Sequence, residues 1–130
     1  MITEDYVSFE TAKLLKEKGF DEDIARVVNE ECEIDYLGSF QPSLAYLHHT
    51  WYRCPTLQLA MKWLREVHKI HVSVEMGFDV DNHQYFFFVP SICKFSSKTG
   101  EYQTPFGEKE FDFYEEACEA AIKYCLENLI

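Results

Sequence analysis

Between Val67 and Ile70 the spacing of the apolar residues changes from the period of a helix to the period of a strand, and no other feature constrains the fold as much. Leu57, Ala60, Met61, Leu64 and Val67 fall at i, i+3, i+4, i+7 and i+10, with Gln58, Lys62, Arg65, Glu66 and Lys69 opposite them. That is the stripe of an amphipathic helix. Ile70, Val72, Val74 and Met76 then alternate with His71, Ser73 and Glu75, as in a strand with one buried face. A helix feeding straight into such a strand rules out all-α and all-β architectures and predicts an α+β fold.

The segments around this junction extend the pattern. Residues 77–83 read as a turn, and residues 84–95 as a second strand. That strand is apolar on both faces through Tyr85, Phe86, Phe87, Phe88 and Val89, which predicts a central strand or one covered on two sides. Pro90 marks a bulge or an exposed edge. A turn at 96–100 and a short strand at 101–104 complete a three-stranded antiparallel meander. Ser8 is a good N-cap for a helix over 9–18, closed by Gly19 with Phe20 folding back on Leu15. Pro55 suits the first position of the central helix. Asp112 with Glu115 caps a terminal helix lined by Tyr114, Cys118, Ala121, Cys125 and Leu129. Residues 21–35 favour a short helix, and residues 36–52 short strand pieces around a loop at Gly38, Pro42 and Ser43.

The chain of 130 residues has the length of one domain. The reading is a single α+β domain over 1–130, an antiparallel sheet of three to four strands packed against two long helices plus an N-terminal helix. Its expected core holds Leu15, Leu57, Ala60, Met61, Leu64, Val72, Val74, Phe87, Ala121 and Cys125. With 47% apolar and 16% aromatic residues, the composition is that of a folded chain.

Charge narrows the function classes. Residues 1–35 carry 11 acids against 4 bases, residues 36–100 carry 4 against 6, and residues 101–130 carry 8 against 2, for a net −11. Such a balance repels a phosphate backbone, so no direct nucleic-acid binding is expected. The start, Met1-Ile2-Thr3-Glu4-Asp5, is acidic where a signal peptide is basic. The longest apolar run, 85–89, is far short of the roughly 20 residues of a membrane-spanning helix. The five cysteines, Cys32, Cys54, Cys93, Cys118 and Cys125, show no CxxC spacing and suit reduced thiols. A cytoplasmic protein without membrane partners is expected.

Candidate chemistry is sparse, and each candidate has an ordinary reading beside it. His48, His49 and Cys54, with His68 or His71, offer zinc-type donors but no motif spacing, so surface and loop histidines are the preferred reading and no metal is expected. Asp79, Asp81 and Asn82 begin like a calcium loop, yet Gln84 and Pro90 stand where glycine and glutamate belong, which leaves a polar turn. Cys54, just before the central helix, would feel the positive end of its dipole as a thiolate nucleophile. The alternative is a small buried residue. Cys118 and Cys125, two turns apart on one helix face, are too distant to bridge. Lys62, Arg65 and Lys69 form a small basic stripe that reads as a solvated face. No dinucleotide, P-loop, nucleophile-elbow or zinc-protease motif occurs, no cofactor is expected, and the sequence leans away from an enzyme.

Three stretches carry a resemblance. They are Tyr6-Val7-Ser8-Phe9-Glu10 with Ala12-Lys13-Leu14-Leu15-Lys16-Glu17-Lys18-Gly19-Phe20, then Pro55-Thr56-Leu57-Gln58-Leu59-Ala60-Met61-Lys62-Trp63-Leu64-Arg65-Glu66, and Tyr114-Glu115-Glu116-Ala117 on through Leu126-Glu127-Asn128-Leu129-Ile130. They resemble the small acidic proteins of unknown function found in prophages and mobile elements of gut bacteria. The resemblance covers the three helices and implies an origin, with no activity, ligand or catalytic residue to carry across.

The functional expectation is a non-catalytic protein-interaction module of a phage or mobile element, forming a homo-oligomer or binding a host protein. Its motive is the supply of aromatics, 11 Phe, 8 Tyr and 2 Trp, more than one face of a small sheet hides. Two alternatives stand beside it. One is an acidic decoy that imitates DNA and occupies a host nucleic-acid-handling protein. The other is a small thiol or metal enzyme using Cys54 with His48 or His49.

Overall fold

Signals that need no distant partner build the first helix, α1 (Phe9–Glu17). Ser8 holds an extended backbone and its hydroxyl accepts from the Thr11 amide at 3.2 Å, satisfying one of the free donors of the first turn. At the other end Gly19 takes φ +95°, and the Phe20 amide returns to the Leu15 carbonyl at 2.9 Å, the Schellman closure expected from the sequence. A computed structural model describes residues 1–37, 51–81, 85–107 and 109–130. They form an α+β fold of two antiparallel three-stranded sheets and three helices, in two compact units, Met1–Leu57 and Gln58–Ile130.

In the first unit, β1 (Arg26–Val28) pairs on one side with β2 (Ile34–Tyr36) and on the other with β3 (Tyr52–Arg53), in the order β2-β1-β3. This corrects the expected helix at 21–35. Val27 and Val28 are β-branched and buried, which favours a strand, and Asn29 then builds the hairpin loop. Asn29 is buried, its carboxamide oxygen accepts from the amides of Glu31 and Glu33 at 3.1 and 2.9 Å, and Cys32 adopts φ +60°. An Asx side chain that satisfies loop amides in this way competes with helix formation. The ends of the 36–52 segment therefore do not extend the meander, because Tyr36 and Tyr52 join this separate sheet. The loop expected at 38–50 lies outside the described residues. α1 packs on β3, with the Phe9 and Tyr52 rings edge to face at 5.6 Å.

Tyr6 bridges Thr56, the Val7 amide donates to the Pro55 carbonyl at 3.0 Å, and the Leu57 amide donates to the Asp5 carbonyl at 3.0 Å. Pro55 is thus committed to extended pairing, and α2 (Leu57–His68) begins after it, which corrects the expectation that Pro55 opens the helix.

The second unit contains the meander. β4 (Ile70–Asp79), β5 (Tyr85–Ser96) and β6 (Thr99–Gln103) lie in the order β4-β5-β6, so β5 is central, and a two-residue turn with Ser97 at φ +57° joins β5 to β6. Gly77, expected in a turn, lies inside β4 opposite Phe87. Its missing side chain leaves room for that ring, since a Cβ there would come within 2.1 Å of Phe87 Cε2. Pro90 also sits inside a continuous ladder, opposite Val74. Phe88 and Phe111 exchange backbone hydrogen bonds on the far side of β5, and β6 begins its pairing at Ile92. Pro90, falling between them, gives up no hydrogen bond for its missing N–H.

The terminal helix α3 (Tyr114–Asn128) lies on β4 and β5 and buries Ala117, Cys118, Ala121, Ile122, Cys125 and Leu126. The expected Asp112 cap is not formed. Phe113 is the N-cap residue, without a side-chain cap bond, and Asp112 accepts from the Tyr85 hydroxyl. Of the expected core, Val74 and Phe87 are only half-buried, and the other residues named are buried.

Candidate functional site

Cys54 lies between β3 and α2 and is 2% exposed. Its backbone amide donates to the Arg26 carbonyl at 2.9 Å, and its thiol donates to the Val7 carbonyl at 3.2 Å. The Arg26 guanidinium stacks on the Tyr6 ring at 3.7 Å and donates to the Tyr36 hydroxyl at 2.9 Å. Burial works against the charge of Arg26, but hydrogen bonds with Cys54 and Tyr36 outweigh it and hold the proton more tightly than usual. A guanidinium beside a thiol favours the thiolate. Here the buried thiol ties the segment after β3 to the residues that precede α1. His48 and His49 lie outside the described residues.

The remaining sequence candidates are dispersed. His68 ends α2 with its ring 4.7 Å from Trp63, and burial followed by the charge of Lys94 lowers its pKa. His71 is exposed on β4. Among the described residues no three His, Cys, Asp or Glu side chains are grouped to hold a metal ion. Asp79 accepts from the Asp81 amide at 3.0 Å in an Asx turn, while Asn82 is outside the described residues. Lys62, Arg65 and Lys69 are exposed, with Lys69 donating to the Glu66 carbonyl at 2.9 Å. Burial pushes the Cys118 thiol up and the Cys125 thiol up to about 12, so both stay protonated in the core.

The surface that stands out is the uncovered end of the β4–β5 face. At one end of α3 the Tyr114 ring meets Phe88 at 6.1 Å, and at the other Lys94 donates to the Leu129 carbonyl at 2.8 Å. The helix therefore spans the strand from Phe88 to Lys94, about 20 Å by either helix or strand rise. β4 and β5 run on past Phe88, beyond the end of α3. Side chains alternate between faces, so Met76, Phe78 and Phe86 share the helix-bearing face, and they remain 62%, 44% and 52% exposed. The Phe78 and Phe86 rings contact each other at 4.8 Å. The apolar run, expected to be central or covered on two sides, is central in its sheet and open at this end. On the opposite face Tyr85 and Phe87 stack at 6.3 Å, and the bond to Asp112, with burial behind it, raises the Tyr85 phenol above its ordinary range.

The edge of β4 is also open. Phe88 directs its N–H and C=O to Phe111, away from β4, and the Phe95 amide donates toward β4, to the Lys69 carbonyl at 2.8 Å. Backbone groups alternate along a strand. Odd-numbered residues of β5 therefore bond β4 through Ser73, Glu75 and Gly77, and Val74, Met76 and Phe78 aim their backbone groups out of the sheet. Among the described residues nothing pairs with them there.

Sequence reasoning flagged the surplus of aromatics without locating it. No described helix is long and apolar enough to cross a membrane. No protein-family model, curated protein or solved structure matches the chain.

Proposed function

We propose that the chain is a non-catalytic protein-interaction module of a phage or mobile element, binding through Met76, Phe78 and Phe86. The supporting observation is that the β4–β5 pair overruns its helix and leaves these three side chains together and exposed. They offer about 300 Å² of apolar surface, the size of the largest patches on folded monomers, which are often functional. The test is affinity capture from host lysate with the wild-type chain and a Phe78→Ser/Phe86→Ser variant, washed at low and high salt. A polypeptide held in near-equal amount by the wild type at high salt, and lost by the variant, supports the reading. Capture that the variant retains overturns it, as does the absence of both a captured partner and any self-association that depends on these side chains.

The acidic decoy is the second reading. The seven carboxylates of residues 21–35 are all exposed around the β1–β2 hairpin, and a partner recognised by them is one the variant keeps and high salt removes.

A further inference from the structure

We infer that the occupant of this surface is a second copy of the chain, joined antiparallel along the open edges of β4 about a two-fold axis at Met76. This rests on the interaction-module reading and names its partner. β4 is ten residues long and carries no Lys, no Pro and no bulge in its ladder, so it lacks most of the devices that keep an edge strand from pairing. Its outward backbone groups belong to Val74, Met76 and Phe78, the segment that also presents exposed apolar side chains.

The charges choose the register. Directly opposed residues share a face, so in a two-fold pair residue numbers opposite each other add to an even constant. Centring on Glu75 sets two carboxylates against each other, and centring on Gly77 opposes Glu75 to Asp79 twice; like charges directly opposite destabilise a sheet. Centring on Val74 puts Phe78 against Ile70 of the other copy, which is already fully buried under its own cover. Centring on Met76 opposes Met76 to itself, Val74 to Phe78, Glu75 to Gly77 and Ser73 to Asp79. No carboxylate then faces another, and open apolar side chains meet open or half-buried ones. Val74, Met76 and Phe78 of each copy pair both of their backbone groups in this arrangement, and the two meanders become one six-stranded sheet. The apolar contact is small beside the roughly 800 Å² per partner of a stable interface, so the dimer is weak and concentration-dependent.

The experiment is light scattering of the full chain from about 1 μM to about 1 mM, a range suited to weak association, with cross-linking at introduced thiols. The mass should rise from 15.4 kDa toward twice that value. Met76→Lys, at an exposed position, should weaken association by at least about tenfold while keeping the far-UV circular dichroism of the wild type. In a Cys32→Ser background, which removes the exposed thiol, Met76→Cys should be joined by a short bis-maleimide and Thr99→Cys, on the opposite edge of the sheet, should not. A constant mass of 15.4 kDa, association that survives Met76→Lys, or equal cross-linking at both positions overturns the proposal. A monomeric wild type that still captures another protein through Phe78 and Phe86 removes the dimer and leaves the interaction module standing. Loss of patch-dependent binding of every kind removes both.

Discussion

Replacing Gly77 with alanine tests whether a glycine in mid-strand is there to seat an aromatic ring. The new Cβ would lie 2.1, 2.2 and 2.9 Å from Cε2, Cζ and Cδ2 of Phe87, where carbon atoms at rest keep about 3.5–4.0 Å. The ring must retreat by roughly 1.5 Å, leaving its rotamer at a cost of about 0.5–1.5 kcal/mol and giving up contact with the β4 backbone. Against this, alanine gains about 0.5–1 kcal/mol over glycine in a strand. In the natural chain the two effects nearly offset, and Gly77→Ala should be neutral to destabilising by about 1 kcal/mol. In a Phe87→Ala background only the gain survives, so the same substitution should stabilise by about 0.5–1 kcal/mol. Urea unfolding of the four proteins reads an unfavourable coupling of about 1–2 kcal/mol between the positions. Additivity to within about 0.5 kcal/mol would refute the packing, because it would mean that the ring never occupies the space over Gly77.

Three further outcomes follow from particular contacts. Ser8→Ala removes the cap on the Thr11 amide and should cost about 1 kcal/mol in unfolding free energy, whereas Ser8→Asp should retain most of it. Asn29→Ala strands the loop amides of Glu31 and Glu33 and should cost about 1–2 kcal/mol; Asn29→Asp, which keeps the acceptor, should cost less by the same measurement. The buried Cys125 thiol, held protonated up to about 12, sets an alkaline limb. Above the free-thiol value near 8.5 the unfolded chain loses a proton that the folded chain keeps, so stability is complete below that pH and falls by about 1.4 kcal/mol per unit above it. Cys125→Ala should flatten the limb by about that slope between roughly pH 9 and 11, and an unchanged slope would contradict burial of the thiol.

What the sequence made legible was what its own neighbours decide. α1 could be read to within one residue because Ser8, Gly19 and Phe20 act within one turn of the helix ends. β4 could be read because its apolar residues alternate from Ile70 through Met76, and β5 because 85–89 is a continuous apolar run beside turn residues. The first sheet could not. β1 and β2 are three residues long and β3 two, too short to show any period, and β3 reaches its partner across more than 20 positions. Pro55 and Gly77 were misplaced for a related reason. Each has a local meaning, helix start or turn, that a contact elsewhere overrides: the Val7 amide in one case and the Phe87 ring ten positions on in the other. Cys54 drew attention through its place before a helix, but the orientation of its thiol toward Val7 depends on a strand pairing that spacing cannot show.

The exposed face stands between these extremes, and its origin is arithmetic that a sequence contains once the elements are assigned. A helix of 15 residues rises about 22 Å, whereas strands of 10 and 12 residues run about 33–40 Å. A single helix laid along such a pair must leave a third or more of one face bare. Which third depends on where the helix docks, and that is fixed by Tyr114 against Phe88 and Lys94 against the Leu129 carbonyl, neither visible as a pattern. Shifting α3 by one turn, about 5.4 Å, toward the hairpin would carry its first residues past Met76 and Phe88 toward Phe78 and Phe86 and uncover Ile70 and Lys94 instead. The surface offered to a partner is therefore set by helix register as much as by composition, and substitutions at Phe88 or Lys94 that move the helix should change binding without touching Met76, Phe78 or Phe86.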